Sequence, residues 1–250
     1  MQRFKNKIVV VTGAGSGIGR STALRLDAEG AKLLMVDINE DQLESTQSML
    51  KNNESSSHVV DIASQEKIER FFQDLLNTHK KLDALINVAG VLRFDNSHEV
   101  ELDNWNKILD INLTGTFFMC RYALPLLLES KGAIVNVSST AAIGAHAWTA
   151  AYSASKGGIS AFSKTLAVEY GMRGLNINCV CPASIETPMS SNPHMPKDID
   201  TRLLKKIMPL DGVNRSPDDI ASTIAFLASE DAIHINGIDL RVDGLSLIHI

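Results

Sequence analysis

Aromatic residues are scarce in this chain, at 5% of 250 residues, and cysteine is scarcer still, with three. Cys120, Cys179 and Cys181 are an odd number in a long sequence. A secreted scaffold would carry pairs, so reduced thiols and a cytoplasmic setting are expected. Cys179-Val180-Cys181 would place both thiols on one face of a strand as small hydrophobes, and no two histidines stand at His-x-x-x-His spacing. No metal site is expected from this set. Long apolar runs are also missing. No stretch approaches the roughly 18 residues of a membrane span, and the run Ile8–Val11 is shorter than the signal-peptide core of about 7–15 residues. Neither a membrane anchor nor a membrane partner is expected. Positive charge is in deficit, with 24 Lys and Arg against 29 Asp and Glu, a net charge of −5 and a sequence pI near 5.8. That balance argues against nucleic acid as a partner, which needs a concentrated basic surface. What is present is a 44% hydrophobic fraction, too high for a disordered tail and sufficient for a core without disulfides. A single domain over residues 1–250 follows.

Strand-like apolar runs alternate with helical patterns along the chain. The runs Ile8–Val11, Leu33–Val36, His58–Val60, Leu82–Asn87, Ala133–Val137, Leu175–Val180 and Ile235–Val242 read as strands. The intervening segments Ser21–Glu29, Asp41–Lys51, Gln65–His79, Asp103–Glu129 and Ala151–Tyr170 read as helices. A further helix opens at Ser216-Pro217-Asp218-Asp219, where Ser and Pro are N-cap and N1 signals. Such alternation implies an α/β fold, a doubly wound parallel sheet of about seven strands flanked by helices on both faces. The segment from Ala183 to about Gly212 contains four prolines and breaks the rhythm. A long insertion inside a compact domain is more often a functional lid than a linker, so 183–212 is expected to cover the substrate.

Thr12-Gly13-Ala14-Gly15-Ser16-Gly17-Ile18-Gly19 lies between the first strand and the first helix. Glycines there permit a tight turn and let backbone N–H groups approach a pyrophosphate at the helix N-terminus. Asp37 ends the second strand, 18 residues beyond Gly19. An acid at this place can accept hydrogen bonds from both adenine-ribose hydroxyls and repels a 2′-phosphate. Neither Ala14 and Ser16 nor Ile38 and Asn39 supply a cation against that repulsion. NAD is therefore expected as cofactor over NADP.

Tyr152 and Lys156 stand at i, i+4 near the start of a predicted helix, on one face of it. A phenol is a poor base at neutral pH, and a neighbouring cation favours its ionised form. Ser139, 13 residues earlier, ends an apolar strand, where a hydroxyl faces the ligand crevice of an open α/β sheet.

With these elements together, the sequence resembles the short-chain dehydrogenase/reductase family over essentially its whole length. The family's Thr-Gly-x-x-x-Gly-x-Gly loop is met by Thr12 to Gly19, and its acid-containing turn after the third strand by Asp61-Ile62. Asn87-Val88-Ala89-Gly90 stands for its Asn-Asn-Ala-Gly element, with Val88 a departure. Its Asn–Ser–Tyr–Lys tetrad falls on Asn112, Ser139, Tyr152 and Lys156. The resemblance implies a Rossmann-type fold and hydride transfer between a nicotinamide and a secondary alcohol or ketone. It makes Tyr152 the general acid/base, and Ser139 the residue that orients and polarises the substrate oxygen. Lys156 holds the nicotinamide ribose and lowers the Tyr152 pKa, while Asn112 kinks its helix and holds a water. Cofactor contacts are implied at Gly13, Ser16, Gly17, Ile18, Gly19, Asp37, Ile38, Asp61, Ile62, Asn87, Ala89, Gly90, Pro182, Ile185 and Thr187, besides Tyr152 and Lys156. Ser138 is expected to be structural. Ala183 replaces a family glycine, and Val242-Asp243-Gly244-Leu245 lacks a second one. The apolar tail Leu247–Ile250 either completes a subunit contact or is an ill-fitting terminus.

The expected substrate wall is Ala141, Ile143, His146 and Trp148, between Ser139 and Tyr152, facing the lid from Met189 to about Met208. Its apolar character points to a hydrophobic or cyclic secondary alcohol. Two other readings remain. One is an NADPH-dependent reductase resembling 3-oxoacyl-carrier-protein reductases, and the other a non-catalytic dinucleotide-binding regulator. Apolar faces on Asn112–Leu128 and Ala151–Tyr170 match those the family uses to form a homodimer or homotetramer.

Overall fold

The computed structural model describes residues 2–191, 193–205 and 207–247. Ile248, His249 and Ile250 of the apolar tail, and Asn192 and Lys206 of the expected lid, lie outside the described residues. Seven strands form one sheet: β1 (Ile8–Thr12), β2 (Lys32–Asp37), β3 (Ser56–Val59), β4 (Ala84–Asn87), β5 (Ala133–Val137), β6 (Asn176–Pro182) and β7 (Asp239–Val242). Their order is β3-β2-β1-β4-β5-β6-β7 and every pairing is parallel. The order reverses direction between β1 and β4, which opens a crevice at the carboxyl ends of those strands.

The helices are α1 (Gly17–Ala28), α2 (Glu40–Gln47), α3 (Gln65–Thr78), α4 (Leu102–Leu109), α5 (Thr116–Ser130), α6 (Ala150–Tyr170), α7 (Pro188–Ser191), α8 (Thr201–Lys205) and α9 (Pro217–Leu227). Strand residues alternate between two cores. Val9, Val11, Leu33 and Met35 pack with Ala23, Leu26, Ile220 and Ile224 of α1 and α9. Val10, Leu34, Val36 and Ile134 pack with Phe71, Phe72, Met119, Ala123 and Leu166 of α3, α5 and α6. Both faces of the central strands are buried, which is why their sequences read as continuous apolar runs. Each fully buried Val, Leu or Ile contributes roughly 1.5–3 kcal/mol relative to exposure, so the central strands are held from both sides.

Several boundaries differ from the sequence expectation. The last strand begins at Asp239, because Gly237 (φ +74°) turns the chain and donates to the Ile177 carbonyl at 2.9 Å. Helix α2 ends at Gln47, short of Lys51, and Asp27 carboxylate oxygens accept from the Lys51 and Asn52 N–H groups instead. The expected lid holds the short helices α7 and α8. The long predicted helix is a rod from Leu102 to Ser130, long and apolar enough by length and composition to cross a membrane. It lies on the sheet, with Met119, Cys120, Ala123, Leu126 and Leu127 in the core. Between α4 and α5 the rod widens into a π-helical segment, Asp110–Gly115, a feature frequent at functional sites. Gly115 is required there, since a Cβ would stand 2.5 Å from the Ile62 carbonyl oxygen.

All three cysteines are buried, and burial pushes Cys120 and Cys179 up to about 12 and Cys181 to about 11. Cys179 and Cys181 share a small cluster with Ile159. They act as packing groups, as their spacing suggested.

Candidate active site

A cavity of about 450 Å³ runs along the carboxyl ends of the strands. At one end it is lined by Gly13, Ser16, Gly17, Ile18, Gly19, Asp37, Ile38, Asp61 and Ile62. Gly13 (φ +68°) and Gly17 (φ +49°) adopt left-handed backbones, which glycine adopts without strain. Close approach explains the rest. A Cβ on Gly13 would lie 2.9 Å from the Ala89 backbone, and one on Gly19 only 2.0 Å from the Gly13 carbonyl oxygen. Thr12 Oγ1 fixes the next segment by accepting from the Val88 and Ala89 N–H groups at 3.0 and 3.2 Å. This gathers Ala89 and Gly90 beside the loop, and both line the cavity. The Asp37 carboxylate accepts from the Gly15 N–H at 2.9 Å and the Asn39 N–H at 3.0 Å, which sets its orientation.

Sequence reasoning missed one member of this end. The Arg20 guanidinium donates to the Gly15 carbonyl, to Thr46 Oγ1 at 3.0 Å and to the Gln42 carbonyl at 3.4 Å. It ties the loop to α2 and is not among the cavity-lining residues. A cation directly after the last glycine of such a loop was the available signal. Asn87 was expected at the cofactor and is found behind the wall. It is 4% exposed, with Nδ2 donating to Asn136 Oδ1 at 2.8 Å and to Cys120 Sγ at 3.4 Å. The β4–β5 register pairs Asn87 with Asn136, and that pairing draws the side chain inward.

Mid-cavity, β5 and α6 bring Ser139, Tyr152 and Lys156 into one wall. Ser139 Oγ accepts from the Ala141 N–H at 3.1 Å. Lys156 Nζ donates to the Val137 carbonyl at 2.7 Å and lies 5.7 Å from the Tyr152 ring centroid. Burial depresses Lys156 to about 8. Burial also raises the Tyr152 phenol above its ordinary value, and the Ser139 hydroxyl opposes that rise. In the protein alone, then, the balance at Tyr152 runs opposite to the lowering expected from Lys156. Asn112 stands on the π-helical segment, fully buried. Its Oδ1 accepts from the Val91 N–H at 2.8 Å, and its Nδ2 donates to the Val91 carbonyl at 2.9 Å and Ser155 Oγ at 3.1 Å. Its side chain is thus fixed between the Val91 backbone and Ser155. Gly90 leaves room here, since a Cβ would sit 3.1 Å from Asn112 Oδ1 and 3.5 Å from Lys156 Nζ. Ser138 bonds the Lys156 carbonyl and Ser160 Oγ, both at 2.9 Å, in keeping with a structural part.

The far end differs from the expected wall. Of Ala141, Ile143, His146 and Trp148, only His146 lines the cavity. Ala141 is 5% exposed and Ile143 is 45% exposed, on the outside. Trp148 takes a left-handed backbone (φ +64°), its carbonyl accepts from the Asp95 N–H at 2.8 Å, and it is not among the residues lining the cavity. Leu92, Phe94, Thr149, Met189, Pro193 and Ile207 line this end instead. Phe94 is fastened to the lid by its N–H, which donates to the His194 carbonyl at 3.2 Å. Leu92 and Phe94 follow β4, whose carboxyl end was the signal for them. Pro182, Ala183, Ile185 and Thr187 line the middle of the cavity, so the residue replacing the family glycine stands in the wall. The described part of the tail stays within the chain, because Leu247 packs against Gly144.

A parallel sheet of this order carries, on one cavity, a glycine-lined turn at a helix N-terminus and the side chains of Ser139, Tyr152 and Lys156. The family model described as enoyl-(acyl carrier protein) reductase matches residues 13–244. The chain is similar to meso-2,3-butanediol dehydrogenase of Serratia marcescens, at 33% identity over 242 residues, covering 97% of this chain and 95% of that protein. It is also similar to 3beta-hydroxysteroid dehydrogenase of Mediterraneibacter gnavus, at 34% identity over 266 residues, covering 98% and 96%. A crystal structure of a short-chain dehydrogenase from Mycobacterium paratuberculosis bound to NAD matches with a TM-score of 0.90 at 26% identity, covering 98% of each chain. The chain belongs to the short-chain dehydrogenase/reductase family, a family of oxidoreductases acting on alcohols and ketones.

Proposed function

We propose that the chain is an NAD-dependent oxidoreductase of neutral secondary alcohols and ketones, with Tyr152 as general acid/base. The observation that carries this reading is continuity: Ser139, Tyr152 and Lys156 line the same cavity as the Gly13–Gly19 loop and Asp37. When bound, the nicotinamide supplies the hydride acceptor or donor. The protein supplies alignment and proton handling. Tyr152 takes the proton of an alcohol or returns one to a ketone, and Ser139 hydrogen-bonds the same oxygen. Lys156, at about 8, remains mostly charged at neutral pH and stabilises the phenolate once it forms. Asn112 acts one step back, holding the Val91 backbone beside the nicotinamide end. The loop N–H groups of Gly13 to Gly19 meet the pyrophosphate, and Asp61 and Ile62 the adenine. Pro182, Ile185 and Thr187 meet the carboxamide. Reduction of NAD⁺ and NADP⁺ against a panel of neutral secondary alcohols tests the whole reading. Turnover with NAD⁺ supports it, and turnover of neither cofactor with any alcohol overturns it.

Cofactor choice rests on Asp37. Its carboxylate suits two ribose hydroxyls and repels a 2′-phosphate. The one nearby cation identified, Arg20, is already engaged by Gly15, Gln42 and Thr46. Asp37→Ala is expected to raise KM for NAD⁺ about 10-fold and to shrink the preference over NADP⁺ by at least as much. An unchanged ratio of the two kcat/KM values would defeat the ribose argument. The family model's description favours the acyl-carrier-protein reading only in part. That reading calls for NADPH, against Asp37.

The same reading extends to assembly and place. Phe117 on α5, Val168 on α6 and Met172 just beyond it are 41%, 84% and 98% exposed, which supports a homodimer or homotetramer formed through these helices. Light scattering should give two or four times 27.2 kDa; a monomer at micromolar concentration would remove this part. Buried, unpaired thiols support a cytoplasmic location.

A further inference from the structure

The substrate end of the cavity is apolar around one imidazole, that of His146. Leu92, Phe94, Met189, Pro193 and Ile207 supply carbon surface there. Several hydroxyls lining the cavity are already committed. Thr140 Oγ1 donates to the Pro182 carbonyl at 3.2 Å, and Ser190 Oγ to the Ile185 carbonyl at 2.7 Å. Thr149 Oγ1 donates to the His146 carbonyl at 2.9 Å and meets Ser153 Oγ at 2.9 Å. His146 Nε2, by contrast, is buried and has no hydrogen-bond partner. It is the one such side-chain atom among the described residues lining this cavity. Native proteins leave few buried polar atoms unpaired, and each calls for an explanation. The imidazole is also neutral at physiological pH, because burial holds it down at about 4. A neutral ring carries one donor and one acceptor nitrogen, so it suits a hydroxyl or a carbonyl and gives no charge to balance a carboxylate or phosphate.

We infer that His146 is a specificity-determining residue that hydrogen-bonds a second oxygen of the substrate. The preferred substrates are then small neutral molecules with two oxygens: diols on the alcohol side, and hydroxyketones or diketones on the carbonyl side. One oxygen reacts between Ser139 and Tyr152, and the other satisfies the imidazole. The inference rests on the oxidoreductase reading above and narrows its substrate.

The test compares cyclohexanol with 1,2-, 1,3- and 1,4-cyclohexanediol, a series that varies only the second hydroxyl and its spacing. The wild-type protein is expected to favour at least one diol over cyclohexanol about 10- to 100-fold in kcat/KM. His146→Phe, which keeps a ring and removes both nitrogens, should collapse that ratio through KM. His146→Gln should restore part of it, and NADH binding followed by fluorescence should stay within about threefold in both variants. Equal use of cyclohexanol and every diol, or an undiminished ratio in His146→Phe, overturns the inference and leaves the oxidoreductase reading standing. Absence of turnover with any alcohol and either cofactor overturns that reading instead.

Discussion

Tyr152→Phe is expected to lower kcat by about 10²- to 10⁴-fold in both directions, the usual contribution of a positioned acid or base. NADH affinity should change by less than about threefold. The substitution removes one oxygen and keeps the ring that stands 5.7 Å from Lys156 Nζ, so packing and the nucleotide cradle are untouched. The size of the effect follows from electrostatics. Burial raises the phenol above its ordinary value, so at neutral pH Tyr152 carries its proton. It is ready to protonate a forming alkoxide, and it must be ionised before it can accept a proton from an alcohol. Ketone reduction should therefore run well at neutral pH, and alcohol oxidation should rise with pH. Lys156 works within a narrower window, since above about 8 it loses its charge and its pull on the phenolate. Steady-state rates in both directions, with fluorescence titration of NADH, separate these effects. Retention of kcat within about tenfold in Tyr152→Phe would remove the residue from its role.

Much of the scaffold was legible because it is encoded locally. Val9–Val11 and Ile134–Val135 are buried from both faces, and such strands announce themselves as apolar runs. The Gly loop was equally readable, since its glycines are contiguous in the chain between β1 and α1, although Gly13 answers to Ala89 and Gly17 to Thr187 as well as Gly19 to Gly13. What escaped depends on distant partners. Asn87 was drawn inward by Asn136, 49 residues along. Trp148 has its backbone carbonyl tied to the Asp95 N–H, 53 residues earlier, and it does not line the cavity. Of the expected wall only His146 reaches the cavity, and its neighbours there, Phe94 and Pro193, come from the segment after β4 and from the lid. The π-helical turn at Asn112 left no periodic trace, because one widened turn barely shifts an apolar pattern across the Leu102–Ser130 rod. The substrate end suffered most, being assembled from the segments after β4, β5 and β6 at once.

Gly19→Ala tests whether the loop geometry, rather than glycine content, makes the nucleotide site. The added methyl would lie 2.0 Å from the Gly13 carbonyl oxygen and 2.5 Å from its carbonyl carbon, distances that no rotamer change relieves. Either α1 retreats or Gly13 moves. Movement of Gly13 toward Ala89 is blocked, since a Cβ placed on it would already lie 2.9 Å from the Ala89 backbone, and Ala89 is held by Thr12 Oγ1. The strain therefore falls on the first turn of α1, whose N–H groups are the ones proposed above to meet the cofactor phosphates. Overpacking of this kind costs about 1–3 kcal/mol in stability. Displaced N–H groups should weaken NADH binding by about 100-fold or more. Gly15→Ala makes the useful contrast. Its methyl would meet Asp37 Oδ2 and Gln42 Cβ at 2.9 Å; the carboxylate can turn aside and Gln42 Cβ can move with the short helix α2, away from the Gly13 and Gly19 backbone, so its loss should be nearer tenfold and concentrated in the NAD over NADP preference. Fluorescence titration and urea denaturation of the two variants rank them. An NADH Kd for Gly19→Ala within about threefold of wild type, or a larger loss in Gly15→Ala, would show that the cradle does not depend on this backbone contact.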